Sequence, residues 1–214
     1  MKNLLLLNSS LVVNKPILSR DVIKIEYGKA RINSYEDGFK SLQKFDIFKM
    51  FDEIIMIDNT ISSKSKIPKN ILQILPENTI FLLHKDNELG RANKGAGMLN
   101  SLKKNISVFE KYNYIFYFEP RLLLKSSKFI EEFLDEQTNS FSIESYKRVK
   151  TGYFGTIAPD FIDFLNSFSP EELVKKNQHI ELLMYKFYEK KISTFQDCSI
   201  TLWKNYLSEI YEEY

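Results

Sequence analysis

Polar side chains that could hold a phosphorylated ligand follow four short apolar runs of the sequence. In an open parallel sheet, ligands bind outside the carboxyl ends of the strands. If the four runs are neighbouring strands, these side chains line one edge of one sheet. A site built from several separated segments is more specific than any single segment. In chain order the groups are Asn8, Ser9 and Ser10; Asp58 and Asn59; His84, Lys85, Asp86 and Asn87; and Glu119 with Arg121.

Residues 84–100 contain an unusual concentration of glycine. Gly90, Gly95 and Gly97 lie here, although the whole chain has seven glycines, and Arg91 and Lys94 lie between them. A strand that ends in a polar turn and restarts as a helix often holds phosphate at the helix start. The spacing matches neither a P-loop nor a strict dinucleotide-binding fingerprint. The stretch therefore predicts the wall of a ligand pocket. Packing glycines beside two ordinary surface cations are the alternative.

The elements that must position these residues alternate between strands and helices. Continuous apolar runs at 4–7, 53–57, 79–83 and 114–118 predict strands buried on both faces. Helical spacing predicts helices at 35–49, 68–75, 92–104 and 129–135. The second half predicts strands at 140–143 and 152–157, and helices at 160–167, 169–190 (with a break near Asn177) and 199–214. A short strand at 22–27 is also expected.

This alternation predicts an α/β fold with a mostly parallel central sheet and helices on both faces. The chain of 214 residues, 43% of them hydrophobic, can form one good-sized core, and we expect a single domain over residues 1–214. Its 17 Phe and 12 Tyr argue against disorder away from the ends. A net charge of +2, from 30 basic and 28 acidic residues, gives no support for nucleic-acid binding.

Cysteine content and the first residues bear on the compartment. One cysteine, Cys198, excludes a disulfide framework and a cysteine-rich metal site within one chain. The opening MKNLLLLNSS has four leucines before polar residues, which is too short for a signal-peptide core or a membrane span. We therefore expect a soluble cytoplasmic protein. Peripheral association with the inner face of a membrane stays compatible with the Lys-rich and aromatic composition.

Three segments together resemble the nucleotide-sugar glycosyltransferases of the GT-A fold. They are FDEIIMIDNT, DNELGRANKGAGMLNSL and YNYIFYFEPRLLL, and they lie in the family's order within residues 2–124. Weaker similarity follows in GYFGTIAPDFIDFL and HIELLMYKF. The resemblance implies a Rossmann-like GT-A fold with a donor half at 1–125 and an acceptor half at 126–214. It also implies a nucleotide sugar as donor substrate and a saccharide or lipid-linked acceptor.

The resemblance also assigns roles to the candidate residues. It implies that Asn8, Asp58, Asn59 and Asn87 contact the nucleotide, with Asp58 and Asn59 orienting the nucleoside. For Asp58 and Asn59 the alternative is an ordinary strand-ending turn, where these residue types are common. Gly90, Arg91, Lys94, Gly97, Glu119 and Arg121 would line the diphosphate. An acidic residue in the second half would act as general base in an inverting enzyme, and Glu181, then Asp160, are the candidates. A solvent-exposed helical glutamate is the alternative for Glu181.

The chain departs from the family where metal-dependent members have Asp-x-Asp. The corresponding triplet is Glu119-Pro120-Arg121. Mg²⁺ and Mn²⁺ prefer oxygen ligands, whereas a guanidinium can neutralise a phosphate without any metal. Either Glu119 alone helps to hold a metal, or Arg121 with Lys94 or Arg91 takes its place. Loss of activity is a third possibility.

Three functions follow from these observations. The first is a glycosyltransferase of surface polysaccharide or glycan biosynthesis. The second is a catalytically degenerate nucleotide- or sugar-binding partner protein, which the missing Asp-x-Asp and the short chain favour. The third is a nucleotidyltransferase, against which Asn8, Ser9 and Ser10 argue, because that class has a glycine-rich basic turn after its first strand.

Overall fold

The computed structural model describes the backbone of residues 1–12, 21–144, 147–196, 201–205 and 210–213. The first half contains β1 (Asn3–Ser9), α1 (Asp21–Lys44), β2 (Glu53–Asp58), α2 (Lys69–Ile74), β3 (Ile80–Leu83), α3 (Glu88–Ala92), α4 (Lys94–Lys103), α5 (Ile106–Phe109), β4 (Tyr114–Phe118) and β5 (Leu122–Leu124). The second half contains α6 (Lys128–Glu136), β6 (Asn139–Glu144), β7 (Arg148–Ile157), α7 (Ala158–Ser167), α8 (Pro170–Lys175), α9 (Ile180–Tyr188), β8 (Ser193–Gln196), β9 (Thr201–Asn205) and β10 (Ile210–Glu213).

Seven strands form one sheet in the order β3-β2-β1-β4-β7-β6-β8. The pairs among β3, β2, β1 and β4 are parallel, β7 is antiparallel to both of its neighbours, and β6 pairs with β8 in parallel. Six strands therefore share one direction, and the predicted α/β fold with a mostly parallel sheet is confirmed. A second, antiparallel sheet contains β10, β9 and β5.

Hydrophobic cores cover both faces of the large sheet, which is why its central strands are continuously apolar. Successive leucines of β1 alternate between the two cores. One core contains Leu5, Leu7, Tyr35, Phe39 and Phe116, and the other contains Leu4, Leu6, Ala96, Leu99 and Tyr117. Helix α1 packs on the first face and helix α4 on the second. Within the described residues, no helix is long and apolar enough to cross a membrane.

Several expected elements are confirmed, and others are corrected. The six predicted strands of the large sheet are present, and α8 and α9 are separated at Asn177, whose φ is 47°. Ser169 caps α8 by accepting a hydrogen bond from the backbone N–H of Glu172. Helix 92–104 is interrupted at Asn93, whose backbone is extended and whose side chain caps α4.

Two expectations about irregular segments are wrong. The strand expected at 22–27 is helical, because these residues belong to α1. The helix expected at 199–214 is replaced by β9 and β10 where the backbone is described, and its other residues lie outside the described ranges. Strand β9 pairs with β5 and with β10, and this long-range pairing outweighs the helical spacing of the segment.

Candidate functional site

The polar groups that follow β1, β2, β3 and β4 lie at one edge of the large sheet. The strands are parallel, and the register pairs Ser9 with Asp58, Asp58 with Leu83, and Leu7 with Phe118. The carboxyl ends of these four strands therefore meet, as the sequence predicts. We call this edge the ligand edge, defined by residues 8–10, 58–60, 84–87 and 119–121.

Asp58 is buried and is fully engaged within the protein. One carboxylate oxygen, Oδ2, accepts hydrogen bonds from Ser9 Oγ at 2.7 Å and from the Leu11 backbone N–H at 2.8 Å. The other, Oδ1, accepts from the Thr60 hydroxyl and N–H and from the Ile61 N–H. Its carboxylate therefore fixes the turns after β1 and β2, and its contact with a nucleoside stays a prediction.

A row of polar side chains crosses the ligand edge above Asp58. Ser10 Oγ donates to Asn59 Oδ1 at 2.7 Å, and Asn59 Nδ2 donates to Asn87 Oδ1 at 3.1 Å. Asn87 Nδ2 has no hydrogen-bond partner among the described residues, so it remains available as a donor. On the β4 side, Asn8 Nδ2 donates to the Tyr117 hydroxyl at 2.8 Å, and Asn8 Oδ1 is buried with no hydrogen-bond partner in the described ranges. Asn8, Asn59 and Asn87, each predicted for the site, therefore share this edge.

The glycines of residues 84–100 allow two helices to approach closely. A Cβ on Gly97 would lie 2.4 Å from Gly90 Cα, and a Cβ on Gly90 would lie 2.0 Å from Asn87 Oδ1. Gly97 is buried against α3, and its contact with a ligand stays a prediction. Gly90 and Gly97 bring α3 against α4 and hold Asn87 in place. The packing alternative considered for these glycines is the one that the structure supports.

Two exposed cations lie at this helix corner. Arg91 lies in the last turn of α3 and Lys94 begins α4, and neither has an ion-pair partner among the described residues. The start of α9 lies beside them, because Asn93 Nδ2 donates to Gln178 O at 3.1 Å and Gly95 packs against the Ile180 side chain. Glu181 is half-buried, and because it lies in the first turn of α9 it belongs to the same end of the molecule.

Glu119 and Arg121 form an ion pair. Both Nε and Nη2 of Arg121 donate to Glu119 Oε1, the first at 2.7 Å. The side chains are 24% and 17% exposed, so the pair is accessible from the ligand edge. The described residues contain no group of three or more His, Cys, Asp or Glu side chains that could hold a metal ion. With one carboxylate already bound to a guanidinium, this position does not fit a divalent cation.

Sequence analysis missed two residues of α1 that complete the edge. Arg31 Nε donates to Ser10 O at 2.6 Å, and the Tyr35 hydroxyl accepts from Ser10 N–H at 2.8 Å. Burial raises the pKa of Tyr35, and the nearby guanidinium of Arg31 opposes the rise. Gly38 lets α1 approach this closely, since a Cβ there would lie 1.8 Å from Pro120 O. Because Arg31 and Tyr35 are four residues apart, they lie on the same face of a helix, and this spacing is the feature of the sequence that could have identified them.

Asp160 lies away from the ligand edge, and this position does not favour its catalytic role, which stays a prediction. Strand β7 runs antiparallel, so its last residue, Ile157, pairs with Tyr114 at the start of β4. Helix α7 therefore begins at the opposite edge of the sheet. There Asp160 accepts hydrogen bonds from Asn139 Nδ2 at 2.7 Å and from Lys191 Nζ at 2.5 Å, which makes it part of a structural network.

His84 supports the ligand edge from the α4 side. Its Nε2 lies 3.2 Å from Ser101 Oγ, and Ser101 is buried. Burial, with help from the charge of Lys104, lowers the pKa of His84. The imidazole is therefore neutral at neutral pH, and it contributes no positive charge to the site.

Comparisons with known proteins place the fold. No protein-family model matches the chain, and no curated protein matches it. A solved structure described as a nucleotide-diphospho-sugar transferase, from Desulfovibrio desulfuricans, is similar with a TM-score of 0.52 and 9% identity over 91% of this chain and 79% of that one.

Two further structures show the same similarity. One is a 4-diphosphocytidyl-2C-methyl-D-erythritol synthase from Anaerococcus prevotii, with a TM-score of 0.52, 8% identity, and 91% and 86% of the chains covered. The other is a nucleotidyl transferase from Methanothermobacter thermautotroptrophicus, with a TM-score of 0.51, 9% identity, and 92% and 88% covered. At sequence identities of 8–9%, these similarities show a shared fold and nothing about function. The chain has the α/β fold that these sugar-nucleotide and nucleotidyl transferases share.

Proposed function

We propose that this protein is a transferase that binds a nucleotide sugar at the ligand edge and moves the sugar to a saccharide or lipid-linked acceptor. One observation carries the proposal. The polar row of Ser10, Asn59 and Asn87 lies at the strand ends beside Arg91 and Lys94, two cations that have no ion-pair partner in the part of the chain that the structure describes. Hydrogen-bonding groups beside unpaired positive charge suit a nucleoside joined to a diphosphate. Surface polysaccharide or glycan biosynthesis is the proposed context.

In the proposed reaction, an acceptor hydroxyl attacks the anomeric carbon of the donor sugar. A new carbon–oxygen bond forms, the bond to the diphosphate breaks, and its electron pair leaves with the nucleoside diphosphate. Negative charge grows on that leaving group, and therefore Arg91 and Lys94 stabilise the transition state more than the ground state. Glu181 is the proposed base that removes the acceptor proton if the reaction inverts.

Nucleotidyl transfer is the second candidate, because one of the similar structures is described as a nucleotidyl transferase. That reaction requires a site for a nucleoside triphosphate. A glycine-rich turn commonly holds such a phosphate chain, because its backbone can approach closely. This chain has no glycine before Gly28, and the turn after β1 is held by Asp58 and Arg31 through Leu11 and Ser10. The missing glycine-rich turn is the observation that favours sugar transfer, while the fold comparisons are compatible with both reactions.

A degenerate binding protein is the third candidate, and the Glu119–Arg121 pair favours it over a metal-dependent enzyme. Thermal-shift measurements with UDP-, GDP-, CMP- and dTDP-sugars, with and without Mn²⁺, separate the candidates. We expect stabilisation by one nucleotide class, followed by sugar transfer or slow donor hydrolysis. Stabilisation without any turnover would support the degenerate protein. No stabilisation by any nucleotide would refute the donor site.

A charge-matched pair of double variants tests the location. Replacing Arg91 and Lys94 with alanine should weaken nucleotide-sugar binding by about tenfold or more, since each charge-assisted hydrogen bond contributes about 1.5–3 kcal/mol. The control replaces Lys44 and Lys49, exposed cations that end α1 and precede β2 at the opposite edge. Equal affinities in the two double variants would place the diphosphate elsewhere.

A further inference from the structure

Arg31 is held in one orientation by two neighbours that act on different parts of its guanidinium. Its Nε donates to Ser10 O at 2.6 Å, and its Cζ lies 5.6 Å from the centroid of the Tyr35 ring. Tyr35 is itself fixed, because it is buried and its hydroxyl accepts from Ser10 N–H. Ser10 therefore holds both side chains: its carbonyl oxygen binds Arg31, and its N–H binds the hydroxyl of Tyr35.

The terminal nitrogens of Arg31 remain available after these contacts. Among the described residues, no carboxylate lies within ion-pair distance of Arg31, and no hydrogen bond occupies its Nη atoms. The nearby acids are already engaged. Glu119 is bound by Arg121, and both oxygens of Asp58 accept hydrogen bonds from the turns. Arg31 is therefore a half-buried, pre-oriented guanidinium with free donors, which is the form in which arginine binds phosphate best.

Its position complements the cations proposed for the diphosphate. Arg31 belongs to α1, which packs on the face of the Leu5 core, whereas Lys94 belongs to α4 on the face of the Leu4 core. The two cations therefore flank the ligand edge from opposite faces of the sheet, with Ser10 and Asn59 between them. A diphosphate that lies across the edge can meet positive charge on both sides.

We infer that Arg31 binds the diphosphate of the nucleotide directly and that this binding needs no divalent metal ion. The inference rests on the proposed function. Arg31 would neutralise the negative charge of the diphosphate, which a metal ion held by two carboxylates would otherwise do. Glu119-Pro120-Arg121 does not fit such a metal, and the structure offers a guanidinium on the same edge. A guanidinium forms two parallel hydrogen bonds to phosphate oxygens, and so it also orients the leaving group.

Calorimetry with matched ligands tests the inference. The probes are the nucleoside diphosphates UDP, GDP and CDP, the corresponding monophosphates, and inorganic pyrophosphate, each in EDTA and in Mn²⁺. For the wild-type protein we expect the diphosphate of the preferred nucleoside to bind more tightly than the monophosphate, equally in EDTA and in Mn²⁺. In Arg31→Gln, diphosphate and pyrophosphate affinity should fall about tenfold or more while monophosphate affinity changes little.

Two further variants separate direct binding from support of the turn. Tyr35→Phe removes the acceptor for Ser10 N–H and keeps the Arg31 charge, and so the ratio of diphosphate to monophosphate affinity should be unchanged. Arg31→Lys keeps the charge and loses the paired hydrogen bonds, and an intermediate ratio is expected.

The outcomes distinguish this inference from the proposed function. If Arg31→Gln and Tyr35→Phe weaken both ligands equally, Arg31 acts through the turn and the inference is overturned. Diphosphate affinity that is unaffected by Arg31→Gln, or that requires Mn²⁺, overturns it as well and leaves the donor site standing. If no nucleotide binds but pyrophosphate binds through Arg31, the inference stands and the proposed function fails. If neither binds, both fail.

Discussion

Replacing Asp58 with asparagine tests whether the buried carboxylate holds the turns of the ligand edge. An asparagine can keep one acceptor oxygen, and it should face the backbone N–H groups of Thr60 and Ile61, which are two of the donors that bind Oδ1. The hydroxyl of Ser9 can turn to accept from the new amide, because it also lies 3.0 Å from Ile57 O and can donate there.

One donor cannot adapt in this variant. The Leu11 N–H, which donates to Asp58 Oδ2 at 2.8 Å, would face the amide NH₂ and stay unpaired in a buried position. An orphaned buried donor costs about 1–3 kcal/mol. For a chain of 214 residues, each kcal/mol corresponds to about 2–4 °C in Tm. We therefore expect Asp58→Asn to melt roughly 2–12 °C below the wild type.

Asp135→Asn is the matched control, because Asp135 is an exposed aspartate on α6 without an ion pair among the described residues. It removes the same charge and should change stability by less than about 0.5 kcal/mol. Urea unfolding followed by circular dichroism measures both variants. Equal stability of the two variants would refute the structural role of Asp58 and would reopen its assignment to the nucleoside.

Three further predictions concern other parts of the molecule. Gly97→Ala should cost about 1–3 kcal/mol in urea unfolding, because its Cβ would lie 2.4 Å from Gly90 Cα; wild-type stability would contradict the close helix contact. The hydrogen bond from Lys2 is the main reason why the pKa of Glu53 is lowered from 4.5 to about 2. The stability that Glu53 provides is therefore complete above about pH 4.5 and is lost as the pH falls towards 2. Acid denaturation of Glu53→Gln should therefore have a shallower slope in that range, and identical slopes would disprove the linkage. Asp160→Asn should lower Tm and leave nucleotide affinity unchanged; weaker nucleotide binding would return Asp160 to the site.

The features of the fold that could be predicted from the sequence are those that depend on a local pattern of residues. Buried strands with continuous apolar side chains have a distinctive sequence, and in a parallel sheet their carboxyl ends must share one edge. Asn8, Asn59 and Asn87 could therefore be placed at one edge of the sheet without any knowledge of their contacts. The helix break near Asn177 was equally local, and its positive φ is a conformation that asparagine tolerates better than most residues.

The parts that were missed depend on partners distant in the sequence. Asp160 follows a strand, as the candidates at the ligand edge do, but β7 runs in the opposite direction because it pairs antiparallel with β4. Strand direction is set by pairing, and no residue near Asp160 encodes it. Arg31 was missed for a similar reason. Its partner, Ser10, lies 21 residues away, and the approach depends on Gly38 fitting against Pro120.

The contrast between acids and bases at the ligand edge argues for an anionic ligand. Asp58 and Glu119 come from strand ends where a sequence pattern suggests metal or nucleoside binding, yet protein donors occupy both carboxylates. Among the described residues, Arg31, Arg91 and Lys94 at the same edge have no ion-pair partner. The carboxylates of Asp58 and Glu119 are occupied by protein donors, whereas these three cations can still bind an anion. That asymmetry favours a phosphorylated substrate held by side chains over one held by a metal, and the EDTA comparison tests this conclusion directly.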